Sequence, residues 1–359
     1  MRRSLLVMLA IVLAGCRGGA DDAGEPGAVG GHPLGSEVPP GAEPDRFLVA
    51  VGDIACAPGD PVTATTCHQA RTAALLARGR PLADPVGVLL LGDVQYEAGT
   101  PDEYRSFDGT WGRVLDRTDA EILPVAGNHE YGTVGTVPPG CELVAGAHHA
   151  CGFAGYFSAR YDVLDDGDAQ YAVTFDRAAS HPVVVVVVDV GACDLLPDRC
   201  AHDGPVVGFL RDALADPVRN PPAACTIVAF HQARWSELGH GDLEHLDPVW
   251  RSLFGSAARQ RPDLVLNGHD HLYERYPRLD ADGRPHPQGI PELVIGTGGR
   301  EIAGGVPWLV PRFERLAAID LSHFGVLRVA WDGERPTLTT SFVTEHGEIR
   351  DRVEHACRA

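Results

Sequence analysis

The chain has 359 residues, of which 44% are hydrophobic, so it is long enough to bury one large core or two smaller ones. Its net charge of −19 disfavours a nucleic-acid-binding role, because such a role needs a basic surface. Every basic position among the 30 Lys and Arg is arginine, which excludes Schiff-base catalysis and the P-loop lysine.

Residues 1–16 are typical of an export signal. Arg2 and Arg3 precede an apolar stretch over residues 5–13 that is too short to span a bilayer comfortably. The stretch ends in Leu-Ala-Gly-Cys, which resembles a bacterial lipobox, where Cys16 becomes the lipidated N-terminus. An ordinary cleaved signal with a chance cysteine is the alternative. We therefore expect an exported protein, anchored in the membrane by an N-terminal lipid and placed at the cell surface or facing the periplasm.

The next segment, residues 17–45, is rich in Gly, Pro, Ala and acidic residues and has almost no bulky apolar side chains. Such a segment cannot bury enough surface to order itself, so it is predicted to be a flexible tether. One catalytic domain is then expected over residues 46–359, since no internal repeat is evident.

Apart from Cys16, the chain has an even number of cysteines, as expected in an oxidising compartment. Short spacings suggest three pairs: Cys56 with Cys67, Cys141 with Cys151, and Cys193 with Cys200. Cys225 and Cys357 would remain to tie the C-terminus to the core. Spacing alone does not decide the connectivity, and metal ligation is the competing interpretation, although no C-x-x-C unit is present.

From residue 47 onward, apolar runs alternate with segments of helical spacing. Strands are predicted at Phe47–Val51, Val86–Leu91, Ile122–Ala126, Tyr171–Phe175, Val183–Val188, Thr226–Phe230, Leu264–Leu266, Leu293–Ile295, Val326–Trp331 and Leu338–Val343. Helices are predicted at Cys67–Arg80, Tyr104–Leu115, Val206–Leu214 and Leu246–Arg259. Residues 132–170 are Gly-rich and are predicted to form an irregular loop near the site. Tyr171–Phe175 alternates like an edge strand, whereas the valine run suits a strand buried on both faces. The pattern predicts an α/β domain with one or two sheets flanked by helices.

Five short polar blocks follow apolar runs, where ligands of open α/β sheets bind. The blocks are Gly52-Asp53, Gly92-Asp93-Val94-Gln95-Tyr96, Gly127-Asn128-His129-Glu130, Val228-Ala229-Phe230-His231 and Gly268-His269-Asp270-His271. The candidate metal ligands that they supply are two carboxylates, a phenol, an amide and three imidazoles, a set too hard for a thiolate zinc site and too large for one metal. They suit two metal ions that share a bridging carboxylate and polarise a phosphate ester.

Single blocks have structural alternatives. An Asp after a strand is commonly a turn or N-cap residue, and an Asn such as Asn128 is typical of a left-handed turn. The pair His269 and His271 is more specific, because residues two apart in extended backbone point the same way. The histidines outside these blocks lack ligand-like company, although His148 and His149 could reach the site if their loop folds over it.

This combination resembles the calcineurin-like metallophosphoesterase superfamily and, within it, the purple acid phosphatase branch. Many members carry Asp-x-His in the first block, but Asp53 is followed by Ile-Ala, so that histidine is missing. Tyr96 stands three residues after Asp93, as in the Gly-Asp-x-x-Tyr block of that branch, where the phenolate binds ferric iron. Residues 268–275 are similar to its Gly-His-x-His-x-Tyr-Glu-Arg block.

The resemblance implies two sets of metal ligands that share bridging Asp93. The first set is Asp53, Tyr96 and His271, and the second is Asn128, His231 and His269. His129 would stabilise the transition state or act as an acid. His240 would contact the phosphate or the leaving group, while Tyr273 and Arg275 are expected to be scaffold.

The resemblance also implies a four-layer fold, with a two-sheet β-sandwich core flanked by helices, and two metal ions. Fe(III) is expected on the Tyr96 side and Zn, Mn or Fe(II) in the second position. The expected activity is hydrolysis of small phosphomonoesters by a metal-bound hydroxide, with the lipid anchor as the contact with the membrane. A phosphodiesterase or nucleotidase on the same site is one alternative. The other is a non-catalytic surface lipoprotein that binds a phosphorylated ligand.

Overall fold

The computed structural model describes residues 44–132, 150–161, 163–164, 169–237, 239–255, 261–302 and 315–358. The predicted signal over residues 1–16, with Cys16, lies outside this part of the chain, as does the predicted tether except for its last two residues. No helix within it is both long and apolar enough to cross a membrane.

A mixed sheet of six strands forms the first half of the core. Strands β1 (Arg46–Val51), β2 (Gly87–Leu90) and β3 (Glu121–Pro124) run parallel to one another. An antiparallel meander of β11 (Gly325–Trp331), β12 (Thr337–Thr344) and β13 (Ile349–Ala356) joins at β1. The strand order is therefore β13-β12-β11-β1-β2-β3.

A second mixed sheet has seven strands. Its parallel centre is β5 (Val183–Val187), β6 (Cys225–Gln232), β7 (Leu264–Gly268) and β9 (Glu292–Ile295). The antiparallel strands are β4 (Tyr171–Phe175), which forms one edge as predicted, and β8 (Tyr273–Arg275) and β10 (Ala318–Asp320) at the other. The strand order is β10-β8-β9-β7-β6-β5-β4.

Short helices follow several strands. They are α1 (Gln69–Ala74), α2 (Pro101–Phe107), α3 (Arg113–Leu115), α4 (Cys151–Tyr161), α5 (Pro205–Ala215) and α6 (Asp247–Ser252). A π-helical turn, Asp108–Gly112, joins α2 to α3. Helix α2 begins with a capping box, since Thr100 accepts from the Glu103 N–H and the Glu103 carboxylate accepts from the Thr100 N–H.

The valine run of β5 shows how the layers are built. Val183, Val185 and Val187 pack between the two sheets, while Val184 and Val186 pack against α5 and α6, because successive side chains of a strand point to opposite faces. On the other side, α1, α2 and α4 cover the outer face of the first sheet. The predicted four-layer α/β architecture is thus confirmed.

The helix predictions were less accurate than the strand predictions. The helix predicted over Cys67–Arg80 is limited to Gln69–Ala74. The chain turns back after it, and the Leu82 N–H donates to the Leu75 carbonyl. The one predicted over Leu246–Arg259 is α6, which ends at Ser252, and residues 256–260 lie outside the described parts.

The loop predicted over residues 132–170 is wrong where α4 stands, and residues 133–149 are not described. Glycines are poor helix formers, and those in α4 led to the prediction of a loop in place of this helix. One of them, Gly152, is there because a Cβ would collide with the backbone carbonyl of Gly99.

Three of the suggested disulfides are present: Cys56–Cys67, Cys193–Cys200 and Cys225–Cys357. Cys151 is also disulfide-bonded, and its suggested partner Cys141 lies outside the described residues. The seven described cysteines are therefore not available as metal ligands.

The Cys225–Cys357 bond joins the second sheet to the C-terminal end across 132 residues. Replacing both cysteines with serine should lower the free energy of unfolding by about 2–5 kcal/mol, because the bond restricts a long loop of the unfolded chain. Unfolding in guanidinium chloride measures this change in the free energy of unfolding. The same change at Cys193 and Cys200, separated by 7 residues, should cost less. Equal losses for the two double variants would contradict the loop argument.

Candidate metal centre

The polar blocks meet where the two sheets touch. Asp53 follows β1, Asp93 follows β2, and His231 lies near the end of β6. Hydrogen bonds join the sheets here: the Gly52 N–H donates to Ile295 at 2.9 Å, and the His231 ring bonds the Leu91 carbonyl at 2.7 Å. The carboxyl ends of parallel strands from both sheets therefore line one crevice, as expected for this kind of fold.

The phenol of Tyr96 is the centre of a first cluster. Its hydroxyl lies 2.8 Å from Asp53 Oδ1, 3.0 Å from Asp93 Oδ2 and 3.1 Å from His271 Nε2. His271 Nε2 is also 3.3 Å from Asp53 Oδ1. The structure thus brings together all four residues expected around the first metal.

A second cluster forms around His231. Its Nε2 atom lies 3.1 Å from Asn128 Oδ1 and 3.2 Å from Asp93 Oδ2. One donor atom each from Asp93, His231 and His269 lie within 4.8 Å of one another. Asp93 Oδ2 takes part in both clusters, which is the placement a bridging carboxylate requires.

Contacts at Nδ1 fix the orientation of two of the imidazoles. The Nδ1 atom of His231 hydrogen-bonds the Leu91 carbonyl, and His271 Nδ1 lies 3.2 Å from Glu301 Oε1. Each ring therefore directs Nε2 at the carboxylates of the site. A histidine held through one nitrogen by a carbonyl or carboxylate, with the other facing inward, is the usual arrangement of a metal-binding histidine. The donor set and its orientation thus fit a pair of cations.

Backbone strain is concentrated at these positions. Three candidate ligands adopt left-handed φ angles: Asp53 at 58°, Asp93 at 47° and His269 at 75°. Gly92 has φ of 86°, and a Cβ there would collide with the His231 ring. A Cβ on Gly127 would likewise collide with Asp93. Left-handed non-glycine residues persist only where the surroundings hold them, so these segments are built to aim side chains.

Glu130 had no predicted role, yet it organises the site. Its buried carboxylate accepts from four backbone N–H groups, those of Asp93 at 2.9 Å, Val94 at 2.8 Å, Gln95 at 3.5 Å and Gly127 at 2.7 Å. Burial and the nearby charge of Asp93 raise the pKa of Glu130 to about 7. Its place in the Gly-Asn-His-Glu block was the signal that could have revealed it.

Charges in the second cluster are strongly coupled. Burial opposes ionisation of Asp93, but His231, His129 and His269 hold its pKa well below the usual range. Burial also disfavours the His231 cation, yet Asp93 outweighs this and raises the pKa of His231 to about 9. Burial and the charge of His231 lower the pKa of His269 to about 4. Asp93 is thus anionic and His269 neutral at neutral pH.

In the first cluster, both Tyr96 and His271 hold their protons strongly. Burial and the charges of Asp53 and Asp93 raise the pKa of Tyr96 well above its ordinary value. For His271, burial opposes the charge, but Asp53 and Glu301 raise the pKa to about 10. Cation binding here would release protons from both groups, because metal ligands bind deprotonated.

Two further histidines border the clusters. His129 Nε2 lies 3.9 Å from Asp93 Oδ2, its Nδ1 is 2.6 Å from the Glu97 carbonyl, and its ring is 4.3 Å from that of Tyr96. His240 stacks on His269 with ring centroids 4.0 Å apart, and its Nδ1 is 2.9 Å from Asp270 Oδ1. Both side chains predicted to handle substrate therefore lie beside the candidate ligands.

The residues expected to be scaffold do pack as scaffold. The Tyr273 hydroxyl and Arg275 Nε both donate to buried Asp351 Oδ2, each at 2.7 Å. This ties β8 to β13 across the two sheets. His148 and His149 lie outside the described residues.

Two facing sheets with this cluster at their shared edge form the architecture of a metallophosphoesterase. The calcineurin-like phosphoesterase family model matches residues 48–273, and the chain belongs to that family. That family is one of phosphoesterases and depends on two metal ions. The comparison with curated proteins gave no match.

Solved structures share the fold at low identity. Purple acid phosphatase PPD1 from yellow lupin (Lupinus luteus) seeds has a TM-score of 0.60 and 17% identity, over 90% of this chain and 54% of that one. GAP50, the anchor in the inner membrane complex of Plasmodium, has a TM-score of 0.60 and 12% identity, over 88% and 89%. PhoD has a TM-score of 0.51 and 13% identity, over 85% and 67%. The chain thus spans about half of the lupin chain.

Proposed function

We propose that the protein is an exported, dinuclear-metal phosphoesterase that hydrolyses small phosphomonoesters. One observation carries the proposal: Asp93 Oδ2 lies 3.0 Å from the Tyr96 hydroxyl and 3.2 Å from His231 Nε2, so a single carboxylate serves two ligand sets. The first set would be Asp53, Tyr96 and His271. The second set would be Asn128, His231 and His269. Bound cations would supply an activated water and neutralise charge on the phosphate.

The surrounding residues position the substrate and move protons. His129 is fixed through Nδ1 by the Glu97 carbonyl, which leaves Nε2 to hydrogen-bond a phosphoryl oxygen or protonate the leaving alkoxide. Asp270 raises the pKa of His240 against the opposing effect of burial, so His240 carries a positive charge more readily near neutral pH. That charge would favour an anionic phosphate beside His269.

Substrate class is tested by phosphate release from purified protein loaded with Fe, Zn or Mn. A monoester such as p-nitrophenyl phosphate should be hydrolysed faster than bis-p-nitrophenyl phosphate and faster than nucleotides. Preference for the diester or for nucleotides would favour the phosphodiesterase or nucleotidase alternative. The fold also occurs in GAP50, a protein described as an anchor. No hydrolysis under any metal loading would support the non-catalytic, ligand-binding alternative here.

We further propose export and a lipid anchor at Cys16. The disulfides between Cys56 and Cys67 and between Cys225 and Cys357 support an oxidising compartment, since cytosolic proteins rarely keep such bonds. Replacing Cys16 with alanine should move the protein from the membrane fraction to the soluble fraction. An unchanged membrane fraction would contradict the anchor and leave the hydrolase proposal intact.

Ferric iron at Tyr96 is the proposed identity of the first cation. Purified protein should then show a visible tyrosinate-to-iron absorption band, and Tyr96→Phe should abolish it, because the phenol oxygen is the donor. Tyr104→Phe is the matched control: this buried hydroxyl has no hydrogen-bond partner among the described residues. A colourless, iron-free and fully active wild-type enzyme would defeat the ferric assignment but not the phosphoesterase.

A further inference from the structure

Arg300 lies directly beside the candidate metal centre, although no sequence pattern marked it. Its guanidinium carbon is 5.1 Å from the centroid of the Tyr96 ring, within the range of a cation–π contact. Nη2 donates to Glu97 Oε1 at 2.7 Å, and Nη1 is 3.5 Å from Asp60 Oδ2. The side chain is 21% exposed, so the charge is largely shielded from solvent.

The backbone around Arg300 is fixed on both sides. Its N–H donates to the Asp53 carbonyl at 3.0 Å, and its carbonyl accepts from the Cys67 N–H at 3.1 Å. Because Cys67 is bonded to Cys56, a disulfide-closed loop holds the residue in place. The guanidinium is therefore presented to Tyr96 by a rigid support.

Arg300 contacts Tyr96 directly and is linked to His129 through Glu97. It also pairs with Glu97, whose carbonyl is 2.6 Å from His129 Nδ1. The phenol faces the carboxylates of Asp53 and Asp93 at its hydroxyl end, so Arg300 provides a positive charge at the ring.

We propose that Arg300 is a positioning residue that fixes the ring orientation of Tyr96 and lowers the energy of its donor electrons when a cation is bound. This rests on the proposed function. A positive charge close to the ring stabilises the electron-rich donor more than the farther acceptor. The tyrosinate-to-iron band should therefore lie at shorter wavelength with Arg300 than without it.

The experiment compares Arg300→Gln and Arg300→Lys with wild-type enzyme. Arg300→Gln removes the charge, and its band should move to longer wavelength. Its kcat should fall about tenfold, which corresponds to about 1.4 kcal/mol, with KM changed less than about twofold. Arg300→Lys keeps the charge but not the planar group, so its band and kcat should be intermediate. Arg335→Gln is the control, because Arg335 is exposed and pairs with Asp332.

The outcomes separate the two proposals. Wild-type band position and kcat in Arg300→Gln would overturn this inference and leave the phosphoesterase standing. A raised KM with unchanged kcat would also overturn it, since that is the mark of a substrate contact. If wild-type enzyme is active but colourless, the rate of metal loss to a chelator replaces the band, and equal rates overturn the inference. No hydrolysis by wild-type enzyme overturns the proposed function, and this inference with it.

Discussion

Replacing Asp93 with asparagine is expected to lower kcat/KM for a phosphomonoester at least about 10³-fold. Its Oδ2 atom serves both clusters, and its Oδ1 accepts from the His129 N–H at 2.9 Å. Asparagine keeps the size of the side chain and tolerates the left-handed φ of 47°. It removes the negative charge that would hold two cations together, and it turns one acceptor into a donor. Loss of metal should therefore accompany loss of activity.

Asp84→Asn is a matched control for this prediction. Asp84 is also left-handed, with φ of 61°, but it is exposed. The same chemical change there should leave kcat/KM and metal content at wild-type values. Elemental analysis of the Asp93→Asn protein should show less than two metal ions per chain. Full metal content with wild-type turnover would mean that Asp93 does not bridge cations.

Most of the described strands, though not β8, β10 or β13, and the polar blocks could be predicted because both follow from local sequence. A buried strand needs a continuous or alternating apolar run, and the residue that follows it in a parallel arrangement reaches the ligand-binding edge. The Val183–Val188 run is an example of such a buried strand. Asp93, which comes shortly after β2, is an example of a residue that reaches the ligand-binding edge. Strand β13 escaped prediction because Ile349–Ala356 is largely charged, although its inward positions Asp351, Val353 and His355 are buried.

Contacts between distant residues could not be predicted in this way. Glu130 works by accepting N–H groups of Asp93 and Val94, which belong to a loop after a different strand. Arg300 meets Tyr96 across 204 positions only because the loop after β9, which holds Arg300, and the loop after β2, which holds Tyr96, both lie beside the loop after β1. Such pairs are fixed by strand order, and an apolar pattern shows where strands lie but not which strands are neighbours.

Glu130 is the site of the second large effect. Glu130→Gln should lower metal affinity about 10–100-fold and the free energy of unfolding by about 1–3 kcal/mol. The carboxylate oxygens of Glu130 face only donors: Oε2 accepts from Asp93 and Gly127, and Oε1 accepts from Val94 and Gln95. The side-chain amide of glutamine would turn its N–H₂ group toward at least one of these backbone N–H groups. That backbone N–H would then stay buried without an acceptor.

The loss of metal affinity follows from where those donors lie. The N–H of Asp93 belongs to the proposed bridging residue, and the N–H of Gly127 directly precedes Asn128, so releasing either one loosens a ligand of the metal pair. Exposed Glu348→Gln provides the control and should change neither quantity. Thermal unfolding with and without metal separates the two effects, because the stability that bound metal adds rises with the logarithm of its affinity. A variant that keeps the wild-type metal-dependent increase in Tm would show that Glu130 supports the fold without positioning the ligands.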